Sequence, residues 1–249
     1  CLRWSNPNRR GAGVLRMLLH RLFDATEDDS TDVMLRIQGI IHDTLTPEIL
    51  ELTAIIDEVA ERIEPALEDY LKDHEDGGAA GTRRQLRITD EVRETAFWRQ
   101  TVFPMTVRLH GALNVFLEKV GALRTAMKEL SRATRDKLIG VSLQMQSYTS
   151  KLQLVVTQLN GFLHNDPNLC LWLELPGQGR SGERGGSLRW CSAPIETGPL
   201  MKKALVDPLR TVVITSATLT VNRRFDFLLQ RLGLAQDEAS EGDASAAAP

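Results

Sequence analysis

Two hydroxyl side chains separated by one alanine, Ser216 and Thr218, follow directly on the apolar run "TVVIT" at Thr211–Thr215. Uninterrupted β-branched residues of this kind predict a strand buried on both faces of a parallel sheet. In open α/β sheets, ligands gather outside the carboxyl ends of the strands. Each hydroxyl there can donate and accept a hydrogen bond, and Ala217 keeps the turn compact. Ser216, Ala217 and Thr218 are therefore candidates for touching a bound group and relaying its state, a coupling role rather than a bond-breaking one. The competing reading is a polar strand end whose hydroxyls cap the helix that follows.

A second constellation is cationic. Arg124, Lys128, Arg132 and Arg135 step by 4, 4 and 3 along one helical face. Such a stripe can follow the phosphates of a nucleic-acid strand, each contact contributing about −0.7 to the log–log salt slope on single strands. The plainer reading is a solvated face, with Glu129 and Asp136 partly neutralising it. Trp98, Trp172 and Trp190 could stack bases, although tryptophans on helices and strands more often serve the core.

Other chemistries lack their residues. There is no GxxxxGK[ST] phosphate loop, so no cradle for the β- and γ-phosphates of a nucleotide is expected. The glycine-rich "PGQGRSGERGG" at 176–186 has no lysine and no strand–loop–helix context, and reads as a hairpin loop. "DEVA" at Asp57–Ala60 is acidic but sits inside an amphipathic helix with no apolar strand before it. Five scattered histidines share no ligand spacing, and Cys1, Cys170 and Cys191 form no CxxC pair. No metal and no cofactor are therefore expected in this chain.

These residues must be positioned by elements that the hydrophobic pattern predicts. Val14, Leu15, Leu18, Leu19 and Leu22 mark a helical face, and a short helix follows around Val33–Ile41. Thr46 is a fitting N-cap, with Pro47 at the first helical position. The stripe Ile49, Leu52, Ile56, Val59, Ile63, Ala66 and Tyr70 then predicts a long helix kinked near Pro65. After the break "DGGAAGTRRQ", Leu86–Thr89 reads as a short extended segment, with Thr89 capping a helix whose first turn holds Asp90 and Glu91. Leu109, Leu113, Phe116, Val120, Leu123, Met127 and Leu130 form a longer stripe. Leu138, Val141, Met145, Tyr148, Leu152, Val155 and Leu159 partly renew it, as expected of long helices packed side by side.

Residues 1–164 are thus expected to be all-helical. At "HNDPN" the pattern changes. Leu169–Leu175 and Ser187–Ile195 predict a β-hairpin, "GPLMKKALV" a brief helix, and "RFDFLLQRLGL" a helix ended by Gly233. One hairpin, one strand and two helices do not complete a doubly wound domain, so the missing strands are expected from chain outside this sequence. The fold class is mixed: a mainly helical unit followed by a partial α/β segment.

The 249 residues suffice for one large domain or two small ones, and a 42% hydrophobic content suffices for a core. With only 5% aromatics, the core is expected to be aliphatic. The net charge of −3 hides separate surfaces, since Leu2–Phe23 carries five arginines and no acid whereas Asp24–Asp76 is heavily acidic. No run approaches the roughly 18 apolar residues of a membrane span, and no signal peptide is apparent. The expected setting is cytoplasmic, with no membrane partner. The start at Cys1 and the tail "EASEGDASAAAP" suggest an internal piece of a longer protein, with residues 236–249 disordered.

The stretch "TVVITSATLTVNRRFDFLLQRLGL", preceded by "SAPIETGPLMKKALVDPLR", resembles the end of the first motor domain of DinG/XPD-type superfamily 2 iron–sulfur DNA helicases. In that family an apolar strand runs into Ser-Ala-Thr-Leu, here Ser216–Leu219. A Phe-rich helix ending in Leu-Gly-Leu follows, here Phe225, Phe227 and Leu232–Leu234. The "WLEL" strand is similar as well, and the resemblance covers 169–234. The resemblance implies an arch-like helical insert at 1–164, the C-terminal part of the first RecA-like domain at 165–235, and a parent ATP-dependent enzyme. That parent would bind ATP and Mg between two motor domains, hold a 4Fe-4S cluster, and translocate 5′ to 3′ on single-stranded DNA in repair or replication. Ser216 and Thr218 would couple nucleotide state to DNA grip, and the resemblance implies that Arg223 and Arg224, just past the motif, are DNA-binding residues near the path of the bound strand. The phosphate loop, acidic motif and four cluster cysteines of the family are absent here, so this segment alone is expected to be inactive. The alternative is a helical protein–protein interaction module whose stripes carry its function.

Overall fold

A computed structural model of the chain describes residues 17–18, 20–21, 31–74, 83–176, 188–215, 220 and 224–235. The described fold is mainly helical with a small open antiparallel sheet, the mixed class that the sequence predicts. The chain divides into two compact units, Cys1–Asp166 with Leu171–Ser192, and Pro167–Cys170 with Ala193–Pro249.

In the first unit, α1 (Thr31–Gly39) and α2 (Thr46–His74) are joined by a wide helical turn at Ile40–Leu45. The short α3 (Asp90–Glu94) and a second wide turn at Phe97–Val102 lead into α4 (Phe103–Met127), and α5 (Arg132–His164) completes the helices. The start of α3 is fixed by the Val92 N–H donating to Thr89 Oγ1 at 3.3 Å, with Asp90 and Glu91 complementing the helix dipole. Ser131 caps α5 in the same way, accepting from the Thr134 N–H at 3.2 Å. Asn165, in the left-handed conformation at φ 50°, ends it.

Both α2 and α5 pack on α4, which carries the centre of the core. All seven residues of the α4 stripe, from Leu109 to Leu130, are buried. The α2 stripe differs at two steps: Ile55 is buried and Ile56 exposed, and Leu67 rather than Ala66 closes it. Pro65 lies within α2 without ending it. In α5, Leu138, Val141, Met145 and Leu159 are buried as predicted, but Val155 is exposed and no residue from Ser150 to Gln158 is buried. Apart from α4, no element among the described residues packs extensively on α5. A helix with one neighbour buries only one narrow strip.

The unit expected to be all-helical contains a strand, which starts three residues before the short extended segment predicted at Leu86–Thr89 and overlaps it at Leu86 and Arg87. β1 (Arg83–Arg87) pairs antiparallel with β2 (Leu169–Pro176), placing Gln85 opposite Glu174 and Arg87 opposite Trp172. β3 (Arg189–Pro194) takes the other edge of β2, giving the order β1-β2-β3. Leu171, Leu173 and Leu175 are buried, as alternation requires. Glu174 is also buried; it accepts from Gln85 Nε2 at 2.9 Å and faces Arg189 Nη1 at 3.4 Å.

In the second unit, α6 (Gly198–Met201) continues through a third wide turn at Lys202–Val206, and α7 (Asp226–Leu232) follows. Gly233, at φ 70°, ends α7 with a Schellman arrangement, the Leu234 N–H donating to Leu229 O at 2.8 Å. Thr211–Thr215, expected as a buried strand, is exposed and forms no ladder among the described residues; Val213 is 81% exposed. A parallel strand needs flanking strands for its backbone groups, and none of the described strands flanks it.

The three wide turns share one cause. Thr46, Phe103 and Asp207 each donate the backbone N–H to a carbonyl five residues back, at Ile41, Trp98 and Lys202. Each is followed directly by a proline: Pro47, Pro104 and Pro208. Proline has no N–H, and its ring collides with the carbonyl four residues earlier. Widening the turn before it relieves that collision without ending the helix at Pro47 and Pro104.

Candidate functional site

The α4–α5 hairpin brings three of the four predicted cations together. Arg124 and Lys128 of α4's end and Arg135 of α5's first turn line one groove of about 340 Å³. Its floor is aliphatic and thioether: Met127, Leu138 and Met145 are buried, and Ile139 stands beside them 60% exposed. Asp136, Ser142 and Gln146 complete the lining. Arg132, the fourth member of the stripe, is exposed and does not line the groove.

The charge balance of this rim departs from the expectation that Glu129 offsets the stripe. Glu129 pairs with Arg36 of α1. Arg135 Nη1 donates to Lys128 O at 2.7 Å, which fixes its guanidinium over the α4–α5 turn. Arg124 and Lys128 have no ion-pair partner among the described residues. Among the described residues, three cations therefore face one acid, Asp136, around an apolar floor. The sequence showed the stripe; it could not show the floor, because Met127, Leu138 and Met145 read as core and Ile139 belonged to no stripe.

The other predicted positions are dispersed. Ser216, Ala217, Thr218 and Arg223 lie outside the described residues, as does the tail at 236–249. Arg224 pairs with Asp226 at 2.5 Å, both side chains largely exposed, so that interaction contributes little. Trp98 is buried with the Arg93 guanidinium 4.6 Å from its ring, a core placement. Trp172 and Trp190 are half-buried, and each has a buried indole N–H without a hydrogen-bond partner among the described residues. Arg93 Nη1 donates to Phe162 O at 2.8 Å. Burial draws the Arg93 pKa below its ordinary value, and Asp90 opposes that shift.

Among the described residues, no three His, Cys, Asp or Glu side chains are placed to hold a metal, and Cys170 and Cys191 are free thiols. Burial, reinforced by Glu174, pushes the Cys191 thiol up, with Arg189 pulling the other way. A raised thiol pKa means less thiolate near neutrality. Cys191 is thus expected to alkylate more slowly than a free cysteine at pH 8, and Glu174→Gln should speed it. Mass-spectrometric alkylation rates check both, and a rate unchanged by Glu174→Gln would remove the carboxylate from the explanation.

What sequence reasoning missed in the second unit is a backbone contact. A Cβ on Gly198 would sit 2.6 Å from Gln230 O and 3.1 Å from Gly233 N. One on Gly233 would collide with the Gly198 carbonyl. The start of α6 and the end of α7 thus touch through two glycines, beside a cavity of about 260 Å³ lined in part by Thr197, Phe227 and Arg231. Gly233 announced itself as a helix stop; "TGP" at 197–199 carried no comparable signal.

Comparison with known proteins gives one partial likeness. Over 90 residues, 36% of this chain, the sequence is 31% identical to the 3′-5′ exonuclease DinG of Bacillus subtilis (strain 168). The match covers 9% of that protein's length. No protein-family model and no solved structure matches the chain. The chain is therefore distantly related, in part, to a DinG protein. Among the described helices, none is long and apolar enough to cross a membrane.

Proposed function

We propose that this chain is a segment of a DinG/XPD-like, ATP-dependent DNA helicase, comprising an arch-like helical insert (1–164) and the end of the first RecA-like motor domain (165–235). In that reading, ATP and Mg act at a phosphate loop and acidic motif elsewhere in the whole protein, and so does any iron–sulfur cluster. This segment would contribute position and coupling. The observation that carries the reading is the exposed β-branched segment Val212–Ile214 leading into Ser216–Thr218. Residues of that type at those exposures are suited to an inner strand of a larger sheet. The partial likeness to DinG supports the same assignment.

The exonuclease activity in the relative's name is that protein's own and is not carried over. Single-stranded DNA is the proposed substrate of the whole motor, with Ser216 and Thr218 linking nucleotide state to the grip on it. The test is the double substitution Ser216→Ala and Thr218→Ala in the whole protein. ATP hydrolysis should persist while 5′-to-3′ unwinding falls at least about tenfold, the size of an ordinary coupling between two sites. Normal unwinding by that variant would refute the coupling role.

A further inference from the structure

The groove between α4 and α5 combines two properties that rarely serve one small ion. Its rim holds Arg124, Lys128 and Arg135, and its floor holds Met127, Leu138, Ile139 and Met145. A phosphate or a free carboxylate would use the rim and leave the floor bare. An apolar ligand would use the floor and leave the cations solvated beside it. The lining rewards a ligand that carries both acids and apolar side chains on one face.

The shape narrows the class. The α5 residues that line the groove run from Arg135 to Gln146, about 16 Å along the helix axis at 1.5 Å per residue. That is three helical turns, room enough for an amphipathic helix to seat anchors at i, i+4 and i+7, which span about 10 Å. Two methionines on the floor suit side chains of varied shape, since the thioether is flexible and polarisable. A single nucleic-acid strand fits less well. Among the described residues nothing aromatic lines the groove for a base to stack on, and Asp136 would face its phosphates. The same carboxylate can accept a hydrogen bond from one of the free N–H groups in the first turn of a docked helix.

From this we propose that the α4–α5 groove docks an acidic amphipathic helix of a partner protein. Its apolar anchors seat on Met127, Leu138, Ile139 and Met145, and its carboxylates face Arg124, Lys128 and Arg135. The pairing of Glu129 with Arg36 leaves those cations available. The site is independent of Ser216 and Thr218, so the helicase reading and this one fail separately.

The probe is a fluorescein-labelled helical peptide rich in glutamate with leucine and phenylalanine four residues apart, titrated by anisotropy against the 249-residue chain. It should bind. The double variant Arg124→Glu, Lys128→Glu should weaken it about tenfold or more, as should Ile139→Asp. Leu154→Asp, equally apolar and 65% exposed but away from the groove, should change nothing. All four positions are exposed, so circular-dichroism melting curves should not move. Absence of binding overturns the proposal. So does equal binding by a peptide with serine at both anchors, which would mean charge alone. Tighter binding of oligo(dT), lost in the same double variant, would reassign the groove to nucleic acid.

Discussion

Replacing Phe116 by alanine is expected to lower the stability of the first unit by about 3–5 kcal/mol, the range for truncating a fully buried aromatic ring. Phe116 is 1% exposed in the middle of α4, the helix against which both α2 and α5 pack. The cavity would open between helices held in place elsewhere, α5 by its Ser131 cap and α2 by the pairing of Glu48 with Lys119, so little collapse is available to fill it. For a unit of this size each kcal/mol moves the melting temperature by roughly 2–4 °C, and the fall should be obvious in a thermal scan. Val115→Ala, at a neighbouring position 43% exposed, should stay within about 0.5 kcal/mol. Similar losses for both would mean that α4 is not the central helix.

The second large effect is expected at the paired glycines. Gly233→Ala places a Cβ against the Gly198 carbonyl and forces a non-glycine residue to φ 70°. The left-handed conformation alone costs about 1–2 kcal/mol, and the collision adds about 1–3 kcal/mol of overpacking. Gly198→Ala meets Gln230 O at 2.6 Å without the torsional penalty, so it should destabilise less. The readout is hydrogen exchange at the Leu234 amide, whose bond to Leu229 O closes α7. Faster exchange in both variants, faster still for Gly233→Ala, is the expected result. Unchanged protection would show that α6 and α7 separate in solution.

Legibility in the sequence followed how many neighbours an element has. The α4 stripe was fully legible because α4 has neighbours on two sides and its apolar residues recur by 4 and 3 with no rival phase. On α2 the phase was ambiguous at two steps, since Ile55 and Ile56, like Ala66 and Leu67, are adjacent and apolar, and only packing chooses Ile55 and Leu67. On α5 the periodicity of Tyr148, Leu152 and Val155 was real but predicted burial that needs a second neighbour. Strand β1 was only partly legible. "RRQLR" has one apolar residue, and its pairing with β2 joins positions some 90 residues apart, as Gln85 to Glu174 shows. The groove was half legible, its cations by spacing and its floor not at all. The run Thr211–Thr215 was read correctly as apolar and β-branched, yet burial is a property of a sheet rather than of a strand.

The pairing of buried Glu48 with half-buried Lys119 belongs to the same lesson. Glu48 sits in the first turn of α2, where an acid is favoured by the helix dipole, and its side chain is 8% exposed against Lys119 of α4. Neither residue is notable in the sequence. Together they fix the height at which α2 meets α4, because a buried charge tolerates displacement from its partner poorly.

The wide turns before Pro47, Pro104 and Pro208 bear on how such a chain can change over generations. A turn closed by a bond to the fifth residue back holds one residue more than the helix around it, so it is equivalent to a one-codon insertion absorbed in place. Each residue advances a helix by about 100°. Had the extra residue not been stored, every side chain downstream would have rotated off its face. With it stored, Leu109 to Leu130 keep their phase whatever happened upstream. The prolines thus mark joints at which the gene can gain or lose a codon while the core of each helix stays in register.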